Sequence, residues 1–360
     1  MPIQIYKKKK SILIGIAVMF VILAVLITGC GRVDSLERTK IVEHKEGELV
    51  IHFVDVGQGD CIIIQFPDNK TMIIDGGPRS ARNAVLNYIE NLEIKTFDYL
   101  LLTHTDEDHC GSLSNVILNY EIKTIFMPDV STDTITTVVY RTFVNAVIEE
   151  EKSGAAVYKS NFDCDFENSD YGYYMDFVTP NPENYSKVKS GNAESINSIS
   201  PIMVLTFFDK KIMFTGDANL MTEEVFFKNI EDKDVNDYNV DILKVAHHGS
   251  RTSTSTEFLN IVKPEIAVIC VGGKNTYGHP TAELLARLNV CNGGGPAAVY
   301  RTDRNGDVII KLTSNGTDAT ILPVILENDL SSLGAIVILI NQTDFKTLMS
   351  GILINKRYLI

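Results

Sequence analysis

An α/β fold, with helices covering the faces of β-sheets, is predicted by three features of this sequence. Short apolar runs rich in Val, Ile and Phe alternate with segments of helical period from Leu49 to about residue 315. Gly, Pro and Asn-rich turns separate the runs. The polar residues suited to chemistry stand directly behind the apolar runs, where the strand ends of such folds meet.

Taken in order, "LVIHFVDVGQGDCIIIQFP" and "TMIIDGG" read as short strands broken by turns, and "ARNAVLNYIENL" as a helix. "DYLLLT" is a strand of the buried type, "GSLSNVILNY" a helix, "KTIFMP" a strand and residues 133–152 a helix. Residues 153–170 are polar and read as irregular. "MDFVTP" is a strand, and "PIMVLTFFDKKIMFTGD" a hairpin about "DKK". "NLMTEEVFFKNI" and "TAELLARL" read as helices, "DILKVAHHGS" and "EIAVICVGG" as strands. "AVYRTDRNGDVIIKLTSNG" reads as a closing hairpin turning at Arg304-Asn305-Gly306. There is no repeat and no extended low-complexity tract.

The N-terminus stands apart. Lys7 to Lys10, an apolar run from Ile12 to Ile27 and then "LITGC" have the parts of a secretory signal. Removing residues 1–29, which carry four lysines and no acid, takes the net charge from −13 to −17. So acidic a chain must rely on local cations or bound metal if its substrate is an anion. Residues 30–47 form a charged tether, residues 48–322 one folded domain, and residues 323–360 an unassigned tail. Five cysteines besides Cys30 are unevenly spaced with no CxxC pair, so they read as buried thiols rather than a disulfide framework.

The chemistry concentrates in "HTDEDH", residues 104–109. His104, Asp106 and Asp108 are spaced i, i+2, i+4, which in an extended segment points them to one side, and His109 follows at a turn. Imidazoles and carboxylates together suit a divalent metal. Alone, such a stretch is more often a solvated acidic turn than a metal site. Of seven histidines, His44 lies in the tether and His52 reads as a packed or surface strand residue. The other five, His104, His109, His247, His248 and His279, all follow apolar strands, as does Asp217 in "TGD".

The ordered set "HTDEDH", "TGD", "HHGS" and "GHP" resembles the metallo-β-lactamase fold hydrolases. Within them it is similar to the hydrolase domain of the ComEC competence proteins and to phosphorylcholine esterases, as are "HFVDVGQGDCIIIQFPDNKTMIIDGG" and "INSISPIMVL". The resemblance covers roughly residues 49–315. It implies a four-layer αββα sandwich holding two divalent metal ions, Zn or Mn, at one edge. By that match His104, Asp106 and a histidine of "HHGS", His248 favoured over His247 though the sequence does not separate them, hold one ion, Asp108, His109 and His279 the other, and Asp217 bridges them. Asp108 is then also catalytic in orienting the attacking water, His247 a catalytic or phosphate-facing neighbour, and Tyr277 a substrate contact. The pair of ions would supply an activated water and stabilise charge on an attacked phosphorus. Asp106 stands where many members have a third histidine, and "NSIS" where many have a histidine ligand; both departures move the donor set toward oxygen. Asn197 and Ser200 in that segment read as second-layer hydrogen bonders or as an ordinary turn.

"LITGC" likewise resembles the bacterial lipobox, which implies cleavage before Cys30, lipidation of Cys30 and a lipid-anchored place on the outer face of the cell membrane. An uncleaved signal anchor is the alternative, with the same orientation. The function implied is an extracellular phosphodiesterase or nuclease, acting on DNA or on a wall or choline diester, with no protein partner. A hydrolase of another ester or lactam, or a noncatalytic metal-stabilised surface lipoprotein, are the other classes. For a long polyanion, Lys244, Arg251, Lys263, Lys274, Arg301 and Arg304 are the cations placed to line a groove.

Overall fold

The computed structural model describes residues 43–160 and 166–315, and the backbone of 319–325. The expected signal, Cys30 and the tether up to residue 42 lie outside the described residues, as does the tail beyond residue 325. Among the described residues, fifteen strands run in chain order. β1 (Glu48–Phe53), β2 (Ile62–Gln65), β3 (Thr71–Ile74), β4 (Thr96–Leu101), β5 (Glu121–Met127) and β6 (Ala156–Lys159) build one sheet. β7 (Phe166–Asn168), β8 (Tyr173–Phe177), β9 (Met203–Phe207), β10 (Lys210–Phe214), β11 (Ile242–Lys244), β12 (Ile266–Ile269) and β13 (Ala298–Arg301) build a second. β14 (Val308–Ser314) and β15 (Ala319–Ile325) return to the first, whose order is β15-β14-β1-β2-β3-β4-β5-β6.

Strand periodicity decides what each face buries. Leu49, Ile51 and Phe53 of β1 and Ile62 and Ile64 of β2 point between the sheets, against Met203, Leu205 and Phe207 of β9 and Val268 of β12. His52 alternates with them and faces the helix Arg82–Asn91. There its Nε2 donates to Gln65 Oε1 at 3.0 Å, and its Nδ1 accepts from the Tyr88 hydroxyl at 3.0 Å. The second sheet's outer face is covered by the helices Leu220–Asn229, Thr256–Val262 and Ala282–Leu288 through Phe226, Phe258, Leu259, Leu284 and Leu288. These are the expected four layers, helices, sheet, sheet, helices.

Three sequence expectations need correction. Residues 153–170 are not irregular throughout: Ala156–Lys159 adds β6 to the first sheet's edge, and Phe166–Asn168 pairs with β8. Their side chains are half-exposed or exposed, so they lack the apolar signature of a buried strand. The expected closing hairpin does not form. β13 lies parallel to β12 in the second sheet, whereas β14 pairs with β1 and β15 in the first. Thr302 fastens the end of β13 to the strand beside it, its hydroxyl accepting from Val271 N at 2.8 Å. Asp307 fastens the start of β14, accepting from Asp55 N at 2.8 Å. The turn at Arg304-Asn305-Gly306 therefore carries the chain between sheets. Finally, "HTDEDH" is not an extended segment: β4 ends at Leu101, and Glu107–Cys110 is a helical turn entered through Asp106.

The topology places the polar segments. β3 and β4 are parallel, as are β10, β11 and β12. Their C-terminal ends release "DGG" at Asp75, "HTDEDH", "TGD" and "HHGS". That rim is where an α/β sheet offers a crevice.

Candidate metal centre

Asp75 organises the first half of the site. It follows β3 with φ 57°, is fully buried, and accepts three hydrogen bonds. Thr103 N donates to its Oδ1 at 2.8 Å; Thr103 Oγ1 and His109 Nδ1 donate to its Oδ2, each at 2.7 Å. The Thr103 proton is thereby committed, so Thr103 Oγ1, 3.1 Å from His104 Nδ1, can only accept there. Both histidines carry their proton on Nδ1 and turn a lone pair on Nε2 toward the rim. One carboxylate sets both tautomers, as outer-layer groups behind metal-binding imidazoles commonly do.

The second half comes from the other sheet. His247 and His248 both take the left-handed conformation, φ 51° and 52°, before Gly249. This bends the chain sharply after β11 and separates the two rings. His248 is buried and donates from Nδ1 to the Cys270 carbonyl at 2.9 Å, so its Nε2 also presents a lone pair. His247 stays a quarter exposed, with Nε2 3.7 Å from Asp217 Oδ2 and Asn197 Nδ2 3.3 Å from the same ring nitrogen.

The two halves meet as a cluster of acceptors. His109 Nε2 and His248 Nε2 face each other at 3.3 Å. Asp108 Oδ2 lies 3.3 Å from His248 Nε2, and Asp217 Oδ1 lies 3.2 Å from His109 Nε2. Asp217 Oδ2 is 3.6 Å from His248 Nε2. With both Nδ1 protons committed elsewhere, the neutral rings would converge lone pairs and carboxylate oxygens on one point, which is unfavourable unless a cation, a metal ion or a proton on Nε2, stands among them. Beside this cluster, His104 Nε2 is buried without a hydrogen-bond partner, 3.8 Å from Asp106 Oδ2. Its ring centroid is 4.1 Å from that of His109. The donor chemistry and these unpartnered atoms fit divalent metal.

The electrostatics agree. Burial opposes charge on His109, but Asp217, Asp75 and Asp108 outweigh it and hold its pKa well above the usual value. Burial likewise opposes charge on His248, yet Asp217, Asp108 and Asp60 lift it to about 10. The same rim draws protons onto its imidazoles and keeps the Asp108 and Asp217 carboxyls low against their burial. Burial, then the neighbouring Asp108 charge, pushes Asp106 up to about 6. Burial, and then the charge on His109, outweigh the nearby carboxylates at His104 and lower it to about 3.

The sequence-expected residues therefore gather on one rim, but not in the groups the resemblance implied. His248, not His279, stands beside Asp108 and His109. His279 packs against His247, ring centroids 5.5 Å apart, with its Nδ1 buried and unpartnered. Tyr277 is 69% exposed and stacks on His279 at 5.7 Å. Ser200 is second-layer: its Oγ is 3.3 Å from His104 Nδ1 and accepts from Asp217 N at 3.2 Å. The sequence reading gave no role to Asp75 and no direct one to Asp60, although Asp75 directly follows β3 and Asp60 lies two residues before β2, each beside a glycine. The proposed basic groove loses two members: Lys244 is wholly buried, and Arg301 is held by both carboxylate oxygens of Asp303.

Residues 54–154 match the model of the metallo-beta-lactamase superfamily. The chain is 26% identical over 285 residues to "ComE operon protein 3" of Bacillus subtilis, covering 73% of this chain and 33% of that protein. It is 26% identical over 241 residues to "Recombination protein 2" of Haemophilus influenzae, covering 66% of this chain and 26% of that one. To "Competence protein ComA" of Neisseria gonorrhoeae it is 24% identical over 281 residues, covering 78% of this chain and 34% of that protein. The chain spans about a third or less of the length of these relatives. The two facing sheets with flanking helices are the metallo-β-lactamase fold, and its rim carries a candidate metal site.

Proposed function

We propose that this chain is a hydrolase that uses two divalent cations, Zn or Mn, to cleave a phosphodiester bond. The observation that carries the reading is the meeting of His109 Nε2, His248 Nε2, Asp108 and Asp217, with His104 and Asp106 alongside. In this reading His104, Asp106, Asp108, His109, Asp217, His248 and His279 supply the donors. The bound cations would activate water and neutralise charge developing on the attacked phosphorus. The protein supplies fixed geometry: Asp75 and Thr103 aim His104 and His109, and the Cys270 carbonyl aims His248. Asp108, 29% exposed in its side chain, stands at the mouth and is suited to orient the attacking water. Burial holds His247 below its ordinary pKa, so it stands neutral and is able to take a proton or hydrogen bond from substrate. Tyr277 at the entrance offers a hydroxyl to a phosphate oxygen. Likeness to competence and recombination proteins supports a phosphodiester, DNA or a wall or choline diester, over a lactam. We place the protein on the outer face of the cell membrane through a lipid on Cys30; Cys30→Ser should abolish labelling by a fatty-acid probe, and a variant that still labels removes the anchor.

The direct test is hydrolysis of an aromatic phosphodiester by the full chain, stripped of metal and reloaded with Zn or Mn, beside Asp108→Ala. Metal-dependent turnover that the variant lacks is the expected result. Turnover of a β-lactam or carboxylic ester, with none of the diester, would overturn the assignment.

A further inference from the structure

The strand that leads to the histidine pair ends on a charge with no access to solvent. Lys244 is 0% exposed. Its ammonium is ion-paired with Asp60 Oδ2 and donates to the Gly216 carbonyl at 3.2 Å. Asp60 is itself 1% exposed and belongs to the β1–β2 loop of the first sheet. Gly216 immediately precedes Asp217 behind β10 of the second, and Lys244 stands four residues before His248. One ammonium thus fastens three loops that meet at the rim.

Asp60 has a defined place in that arrangement. Donor atoms of Asp60, His109, Asp217 and His248 all lie within 4.8 Å of one another, so proximity alone makes Asp60 a candidate ligand. Its direction argues otherwise. Asp60 Oδ1 lies 3.3 Å from His248 Nδ1, and Asp60 Oδ2 lies 3.9 Å from His109 Nδ1. Asp217 faces the Nε2 atoms of the same two rings. Asp60 therefore stands behind both imidazoles, opposite the point where their lone pairs meet. A buried carboxylate there would add to an acid-rich centre unless compensated, and a buried lysine needs such a partner. Each member of the pair accounts for the other.

We infer that Lys244 is a positioning residue: a built-in counter-ion that locks Asp60 behind the two imidazoles and ties the Asp217 loop to them, so that the donor atoms stand in register before a metal arrives. This rests on reading the rim as a metal centre, and is independent of which bond the centre hydrolyses. The test compares Lys244→Met and the double variant Asp60→Asn/Lys244→Met with the wild-type full chain. Two quantities are read: unfolding of the metal-free protein, and zinc affinity by competition with a chelating dye. Lys244→Met leaves Asp60 buried and unpaired, so the metal-free protein should melt well below wild type. The double variant removes charge and tie together. It should regain stability yet bind zinc about 10- to 100-fold more weakly, the size of effect seen when groups behind metal ligands are lost. Because it carries no unpaired charge, it serves even if Lys244→Met does not fold. Wild-type zinc affinity in the double variant would overturn the inference, since the pair would then be a neutral filler. A wild-type protein that binds no zinc would overturn the metal-centre reading and this inference with it.

Discussion

Replacing Asp75 with Asn keeps shape and volume but changes what the position can accept. The carboxylate receives Thr103 N, Thr103 Oγ1 and His109 Nδ1 at 2.7–2.8 Å. An amide can keep the backbone bond through its oxygen, but its NH2 group then faces the Thr103 hydroxyl and His109. His109 Nδ1 must become an acceptor, which moves its proton to Nε2, the atom facing His248 and Asp217. Thr103, no longer obliged to donate to residue 75, is free to donate to His104 Nδ1, which reverses the second tautomer too. Reversing even one ligand should weaken metal binding about 10- to 100-fold, on the order of 1.4–2.7 kcal/mol. Losing the charged hydrogen bond to His109 should cost stability of similar size, about 1.5–3 kcal/mol. Calorimetric titration of the metal-free full chain with zinc, beside urea unfolding, measures both. Unchanged zinc affinity in Asp75→Asn, with the fold intact, would refute the argument that one carboxylate sets both histidines.

Other outcomes follow from the same geometry. Burial holds His52 at a pKa of about 4, below its ordinary 6.5. The unfolded chain therefore takes up the proton first, and stability present above pH 6.5 is lost as pH falls toward 4, by about 3 kcal/mol from this residue. Denaturant unfolding at pH 7 and 4.5 should show a shallower loss in His52→Gln, and identical slopes would count against it. Gly59 has φ 140°, and a Cβ there would lie 2.3 Å from the Asp108 carbonyl. Gly59→Ala should destabilise by roughly 1–3 kcal/mol and weaken metal binding as the Asp108 turn is pushed aside; a melting temperature equal to wild type refutes this. With Lys244 buried and Arg301 paired, Arg251, Lys263, Lys274 and Arg304 remain exposed for a polyanion. If they form a groove, DNA binding falls steeply as salt rises, and binding insensitive to salt removes it.

Most of the architecture was legible because the core strands carry plain apolar runs and the helices between them a clear period. The rim was legible because five of seven histidines follow strands. What was not legible depends on contacts distant in sequence. β6 and β7 are short and only partly buried because they lie at the sheet edges, β6 at the end of one and β7 at the end of the other. The β13–β14 connection reads as a hairpin locally, but β13 pairs with β12 and β14 with β1, and Thr302 and Asp307, bonded to residues 31 and 252 positions away, fasten them there. Asp75 and Asp60 lie 34 and 49 positions from His109, and no spacing rule connects them to it. Lys244 looked like a surface cation because nothing beside it in sequence reveals that both sheets close over it.

We read the rim as a two-metal centre in which Asp217 would serve both ions. Zinc titration of the metal-free full chain, with the bound metal counted by mass spectrometry, tests it most directly against Asp217→Asn. Two ions per wild-type chain, and the loss of at least one in the variant, are expected. One ion or none in the wild type, or two in both, would contradict it.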